Sequence, residues 1–159
     1  MTQTTFISRR TRRVYGSVFC LLAVGLLTNQ LLYHFPYSAA DFVGPSPYFD
    51  PIFWDAVTAI SIYVTLLIAG TGLLFGTKWM VLALTYFVAY VGEDLLLSVL
   101  GWSGFPLSTV PSVLVAGCVL GGLVFMVRLW PTAHRRQVQI VRGLVAGILT
   151  NLLLYWMMG

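Results

Sequence analysis

Two adjacent carboxylates, Glu93 and Asp94, lie in the stretch YVGEDLLL (residues 90–97), inside an otherwise apolar run. Neighbouring residues on an α-helix point about 100° apart, so we expect the two acids to meet different surroundings. An apolar environment and a like charge nearby both favour the neutral form of a carboxyl group. We therefore expect one of the two to be protonated near neutral pH. Such an acid suits proton coupling, cation coordination or acid catalysis.

A second set of polar residues occurs in two copies of one pattern. The copies are GLLTNQLLY (residues 25–33) and GILTNLLLY (residues 147–155). Each carries an asparagine and, four residues later, a tyrosine on the same helix face: Asn29 with Tyr33, and Asn151 with Tyr155. Two readings stay open. The repeat is either a functional feature, or it has no function of its own and is a coincidence in a leucine-rich sequence or a pair of asparagines that hold helices together by interhelical hydrogen bonds.

The amino-acid composition indicates the class of protein in which these polar groups are held. Hydrophobic residues make up 58% of the 159 residues and charged residues only 9%, and the mean hydropathy is +0.88. A soluble domain carries about 25% charged residues. The sequence therefore predicts an all-α integral membrane protein, since continuous apolar runs of this length are typical of spanning helices rather than of barrel strands.

Five spans are predicted, because about 20 apolar residues are needed to cross a bilayer. Their ranges are 14–33, 56–75, 79–101, 110–127 and 139–158. Residues 1–13 form a basic segment, and residues 14–159 form a single domain, a compact bundle of five transmembrane helices. Segments rich in proline, glycine and tryptophan separate the spans.

The cations indicate the orientation. With five alternating spans, all nine basic residues fall on one side of the membrane, and the positive-inside rule makes that side the cytoplasm. We therefore predict a cytoplasmic amino terminus and an external carboxyl terminus, in a bacterial or archaeal plasma membrane. The net charge of +4 reflects this topology, so no nucleic-acid partner is expected.

Helical rise places the polar residues at a common depth. Asn29 lies about 24 Å along its helix from Arg13, and Glu93 lies about 22 Å from Lys78. Both distances correspond to the outer half of a hydrocarbon core about 30 Å thick. The sequence thus predicts a polar layer near the external face, above an apolar plug. Its candidate members are Glu93, Asp94, Asn29, Asn151, Tyr33, Tyr155 and Tyr90.

Metal and cofactor signals are weak. His34 and the external aspartates show no ligand spacing, and the two cysteines lie within spans and form no CxxC pair. We therefore expect neither a metal nor a cofactor.

Glycine pairs spaced by four residues allow close helix approach, within the chain or against a partner. They are Gly72 with Gly76, Gly117 with Gly121, and Gly143 with Gly147. Besides the lipid bilayer, we therefore expect a protein partner or self-association through these glycines.

Three functions fit these features. The first, which we favour, is an accessory or anchoring subunit of a larger membrane complex, whose partner brings a cation to the acidic pair. The second is a small proton- or cation-coupled transporter or channel that uses Glu93 or Asp94. The third is a membrane enzyme that modifies a lipid or isoprenoid with a carboxylic acid as the proton donor. Because the sequence lacks a nucleophile–base pair, a non-enzymatic role is favoured.

Overall fold

Five helices make up the computed structural model of the chain, which describes residues 8–35, 38, 51–76, 79–101, 109–129 and 134–158. No strand occurs among these residues. A short π-helical segment, Gln30–His34, continues the first helix. The helices are α1 Arg9–Asn29, α2 Pro51–Phe75, α3 Met80–Val99, α4 Val110–Leu129 and α5 His134–Met158.

Length and hydropathy confirm the predicted class, a helical membrane protein. Four stretches of helix are long and apolar enough to cross a bilayer: Arg9–His34, Ile52–Phe75, Met80–Val99 and Val110–Val127. The apolar part of α5, Gln137–Leu153, is shorter. Five helices are therefore present, while five spans and the side on which each terminus lies stay predictions.

The first helix begins earlier than the apolar run that predicted it. Ser8 has an extended backbone, and its hydroxyl accepts a hydrogen bond at 3.0 Å from the backbone N–H of Thr11. This is a standard N-cap, in which a serine oxygen satisfies one of the free amides of the first turn. The arginines from Arg9 onward are thus helical. In the same way α2 begins at Pro51 rather than at Ala56.

Helix α3 lies at the centre of the bundle. It packs against α2, α4 and α5, while α1 packs mainly against α2. Phe87 and Val91 on α3 are fully buried, and Leu84 is nearly so. A central helix surrounded by three others is the place where a polar side chain is most shielded from lipid.

The helices alternate in direction. On α1 the ring of Tyr15 meets that of Phe125 near the end of α4, with 4.8 Å between centroids, so these two helices run antiparallel. Helices α1, α3 and α5 all begin at the end of the bundle that carries the arginines of the first turns of α1 (residues 9–13). We call this the basic end, and the opposite end the far end.

Glycines allow α1 and α2 to approach closely. A Cβ atom on Gly16 would lie 2.6 Å from the backbone nitrogen of Leu74 and 2.9 Å from the carbonyl oxygen of Gly70. A Cβ on Gly70 would lie 2.9 Å from the Cys20 sulfur. The sequence pattern pointed to neither glycine, because each lies on a different helix and they pair only in the folded bundle.

The six glycines of the sequence patterns have different surroundings. Gly143 and Gly147 pack against α3 within the chain, and Gly121 faces the Tyr15 ring. Gly117 is exposed, and a Cβ added there would meet nothing within 4 Å in the part of the chain that the structure describes. Gly76 follows α2 with a φ of +67° beside the Arg12 guanidinium, and Gly72 is buried.

Candidate polar site between helices α2, α3 and α5

Two glycines set the distance and register between α3 and α5. A Cβ on Gly143 would overlap the Thr85 hydroxyl, and one on Gly147 would lie 2.7 Å from the Cβ of Ala89. Both contacts advance by four residues on each helix, so the two helices run parallel with a fixed register. Small residues at such contacts allow the backbones to approach closely.

The next step of four residues brings Glu93 opposite Asn151. The carboxyl group of Glu93 lies close enough to the amide of Asn151 for the two to interact across the helix interface. Asn151 is only 3% exposed. Even so, Glu93 Oε2 and Asn151 Nδ2 are both buried, and neither makes a hydrogen bond of good geometry within the described residues. A buried acceptor and a buried donor therefore lie on opposite sides of one interface.

Asp94 belongs to a different interface. It lies four residues after Tyr90, on the same face of α3, and is 8% exposed. It is close enough to act electrostatically on Tyr90 and on Glu93. The two acids thus lie on adjacent faces of the central helix, as their sequence spacing predicts.

Tyr90 links α3 to α2. Its hydroxyl lies 2.6 Å from Ser61 Oγ, and Ser61 Oγ donates at 2.7 Å to the carbonyl oxygen of Thr58. Because the serine proton is used in that bond, Tyr90 donates and Ser61 accepts. Thr58 Oγ1, one turn before Ser61, is a further buried atom without a hydrogen-bond partner among the described residues.

The Tyr90 ring also stacks on Tyr86, with 5.9 Å between centroids and 15° between the planes. Tyr86 lies one turn nearer the basic end, on the same face of α3. Tyr86 was not among the residues predicted from the sequence, although its spacing of four residues from Tyr90 is a readable signal.

Four of the predicted site residues come together in this part of the bundle: Glu93, Asp94, Tyr90 and Asn151. The α1 copy of the repeat lies elsewhere. Asn29 is half-buried on α1, which packs against α2, and Tyr33 is 76% exposed. Tyr155 lies on α5, but its side chain is outside the described part of the chain.

The two copies of the repeat also differ in backbone. After Asn29 the chain enters the π-helical segment, whereas α5 stays α-helical through Met158. A π-helical turn inserts one residue and rotates the side chains beyond it around the helix axis. The two copies therefore share a backbone conformation up to the asparagines but not beyond them, although the tyrosines match in sequence.

The oxygen-rich groups of this site suit a proton or a small cation. Carboxylate, amide and hydroxyl oxygens are hard ligands, and a carboxyl group in a membrane interior is a proton acceptor of the kind found in relays. The site lies in the half of the bundle nearer the far end, since Glu93 is about 9 Å from the end of α3 at Val99.

No protein-family model matches the chain, and neither the curated proteins nor the solved structures include one with significant similarity to it.

Proposed function

We propose that the chain is a small cation-coupled membrane protein that binds and releases a proton or a small cation at the Glu93–Asn151 pair. One observation carries the proposal. Glu93 Oε2 and Asn151 Nδ2 are complementary buried atoms that face each other across the α3–α5 interface, close enough to interact, although no hydrogen bond of good geometry joins them or links either to another described residue. A small shift of the side chains, or a proton or cation bound between them, would complete this pairing, and a buried polar group left without a partner costs about 1–3 kcal/mol.

The amide of Asn151 can serve both states of the acid. When Glu93 is ionised, the Nδ2 group can donate a hydrogen bond to Oε2. When Glu93 is protonated, its O–H can donate to Oδ1 after the amide rotates, because an amide carries both a donor and an acceptor. A bound cation would take the place of that proton between the carboxylate and Oδ1. Asn151 thereby holds the carboxyl group in place in either state.

The neighbouring groups give the bound species a route away from Glu93. Asp94 lies beside it on α3, and Tyr90 and Ser61 continue the row of oxygens toward α2. The basic residues predict that the far end is external. In that orientation the site loads from outside, and release to the inside would require the helices of the largely apolar bundle below it to move apart.

Cation uptake into proteoliposomes tests the proposal. We expect the wild-type chain to take up protons or a monovalent cation under an imposed membrane potential. Glu93→Gln should abolish uptake because the amide cannot ionise, and Asn151→Leu should reduce it. Thr71→Val serves as the control, since the Thr71 hydroxyl only donates to the carbonyl oxygen of Ile68 within its own helix.

Two results would decide against this function. Uptake that Glu93→Gln leaves at the wild-type rate would exclude Glu93 as the binding group. Equal loss in Thr71→Val would attribute the effect to general damage of the bundle. To distinguish proton transport from cation transport, the uptake assay is repeated with sodium, with potassium and with neither ion present.

A role as an accessory or anchoring subunit is the second candidate, and one observation favours it. Gly25 on α1 and Gly117 on α4 are exposed, and a Cβ added at either would meet no other described residue within 4 Å. Small residues on a lipid-facing surface are typical of helix–helix contacts. In this arrangement the buried carboxylates are not the docking groups. Gly117→Ile should then release a co-purifying partner, while the double variant Glu93→Gln/Asp94→Asn should retain it.

A further inference from the structure

A groove of about 310 Å³ lies on the surface of α3 between α2 and α5. Thr65 and Ile68 of α2 form one wall, and Ala146 of α5 forms the other. The floor is formed by Trp79, just before α3, and by the α3 residues Leu82, Ala83 and Tyr86. The lining is almost entirely apolar. The Thr65 hydroxyl is already used, since it donates at 2.8 Å to the carbonyl oxygen of Ile62.

The groove opens sideways, toward the surroundings of the bundle. At its rim Ile68 is 53% exposed and Trp79 is 58% exposed. Small side chains at Ala83 and Ala146 leave the space between the two helices unfilled. A helix is about 10 Å across, too wide to enter a groove of this volume, whereas a hydrocarbon chain is narrow and adapts to an irregular wall.

A cation lies beside the groove. Arg142 is exposed and lies one turn before Ala146, on the same face of α5. Helical side chains lean toward the helix amino terminus, so the guanidinium of Arg142 extends toward the basic end. Trp79 lies at the same end, where an indole suits the boundary between lipid and water.

We propose that this groove binds an anionic phospholipid, with one acyl chain along α3 and the phosphate beside Arg142. The apolar lining recognises the chain, and the charge of Arg142 selects an anionic headgroup over a zwitterionic one. Basic pockets between spanning helices bind anionic headgroups in this way. The proposal is independent of cation binding at Glu93, because neither Glu93 nor Asn151 lines the groove.

Lipid retention by the purified chain tests the proposal, with native mass spectrometry counting bound phosphatidylglycerol and phosphatidylcholine. Ala146→Phe fills the groove, and Leu149→Phe adds the same ring to another exposed position of α5 as a control. Arg142→Gln removes the charge beside the groove, and Arg13→Gln removes an exposed charge on α1.

We expect the wild-type chain to retain phosphatidylglycerol in preference to phosphatidylcholine. Arg142→Gln should weaken retention of phosphatidylglycerol about fivefold, the factor expected for one basic residue near an anionic surface, and Ala146→Phe should abolish retention of both lipids. Leu149→Phe and Arg13→Gln should match the wild type. Equal retention by Ala146→Phe and Leu149→Phe would overturn the proposal, and so would a change of oligomeric state in Ala146→Phe, which would identify the groove as a contact between copies.

A second measurement does not depend on Ala146→Phe and therefore stands even if that variant fails to fold. The chain has five tryptophans, so the fluorescence of Trp79 is taken as the difference between the spectra of the wild type and of Trp79→Phe. Both proteins are placed in bilayers that contain lipids brominated along the acyl chain, which quench nearby indoles. Brominated phosphatidylglycerol should quench Trp79 more strongly than brominated phosphatidylcholine at the same mole fraction. Equal quenching by the two lipids would contradict the proposed selectivity.

Discussion

Glu93 on α3 and Asn151 on α5 face each other one step of four residues beyond the contact between Ala89 and Gly147. The glycine contact fixes how closely the two helices approach, and so it also fixes the distance between the carboxyl and amide groups. The geometry of the Glu93–Asn151 pair therefore depends on how α3 and α5 pack.

A double-mutant cycle should reveal coupling between Glu93 and Asn151. Asn151→Leu leaves the partly buried carboxyl group of Glu93 without its neighbouring amide, and we expect the free energy of unfolding to fall by about 1–3 kcal/mol. Replacing both residues with leucine should restore most of that loss, because two apolar groups satisfy each other. Unfolding of the detergent-solubilised chain measures the effect. Strictly additive losses would show that the two side chains do not interact.

Gly147→Ala should destabilise the bundle. The added methyl group would lie 2.7 Å from the Cβ of Ala89 and 2.8 Å from the carbonyl oxygen of Tyr86, so α3 and α5 must move apart, at a cost of about 1–3 kcal/mol. Gly117→Ala is the matched control. That position has open space, and alanine is favoured over glycine in a helix by up to about 1 kcal/mol. Thermal unfolding should therefore shift in opposite directions for the two variants.

Tyr90→Phe and Ser61→Ala should each weaken the contact between α2 and α3, since either change removes the 2.6 Å hydrogen bond. Hydrogen bonds between helices in a bilayer contribute about 0.6 kcal/mol on average and about 1.7 at most. The double variant should lose no more than the worse single variant. As a control, Tyr86→Phe keeps the ring stack and should leave the unfolding transition unchanged.

Alanine substitutions at Gly76 and Gly101 distinguish the cost of backbone strain from the cost of side-chain crowding. Both have a positive φ, +67° and +74°, so alanine at either position should cost about 1 kcal/mol. Only at Gly76 would the new methyl group also meet the Arg12 guanidinium. We therefore expect Gly76→Ala to be the more destabilising of the two in an unfolding assay. In an Arg12→Ala background the two costs should become equal, and a persistent difference would exclude crowding by Arg12.

The helices were predictable from the sequence because apolar runs bounded by proline and glycine mark them directly. Their starts were less predictable. The cap at Ser8 draws arginines into α1, although a hydropathy pattern places charged residues outside the helix. A local hydrogen bond thus sets the start of α1, which the hydrophobic pattern alone does not locate.

The candidate site was predictable only in part. Sequence spacing indicated that Glu93 and Asp94 face different ways, and helical rise grouped Asn151 with them by depth. Which residues meet depends on the register between separate helices, and no local pattern encodes that register. The structure pairs Asn151 with Glu93 and leaves Asn29 on a different helix pair, although the two asparagines have nearly identical sequence surroundings.

The parallel packing of α3 and α5 has a consequence for biogenesis. If the helices insert in chain order, α3 enters the membrane before α5. Until α5 docks, Glu93 would have no Asn151 opposite it, and the groove beside α3 would lack one wall. Docking of α5 would then complete both proposed sites together.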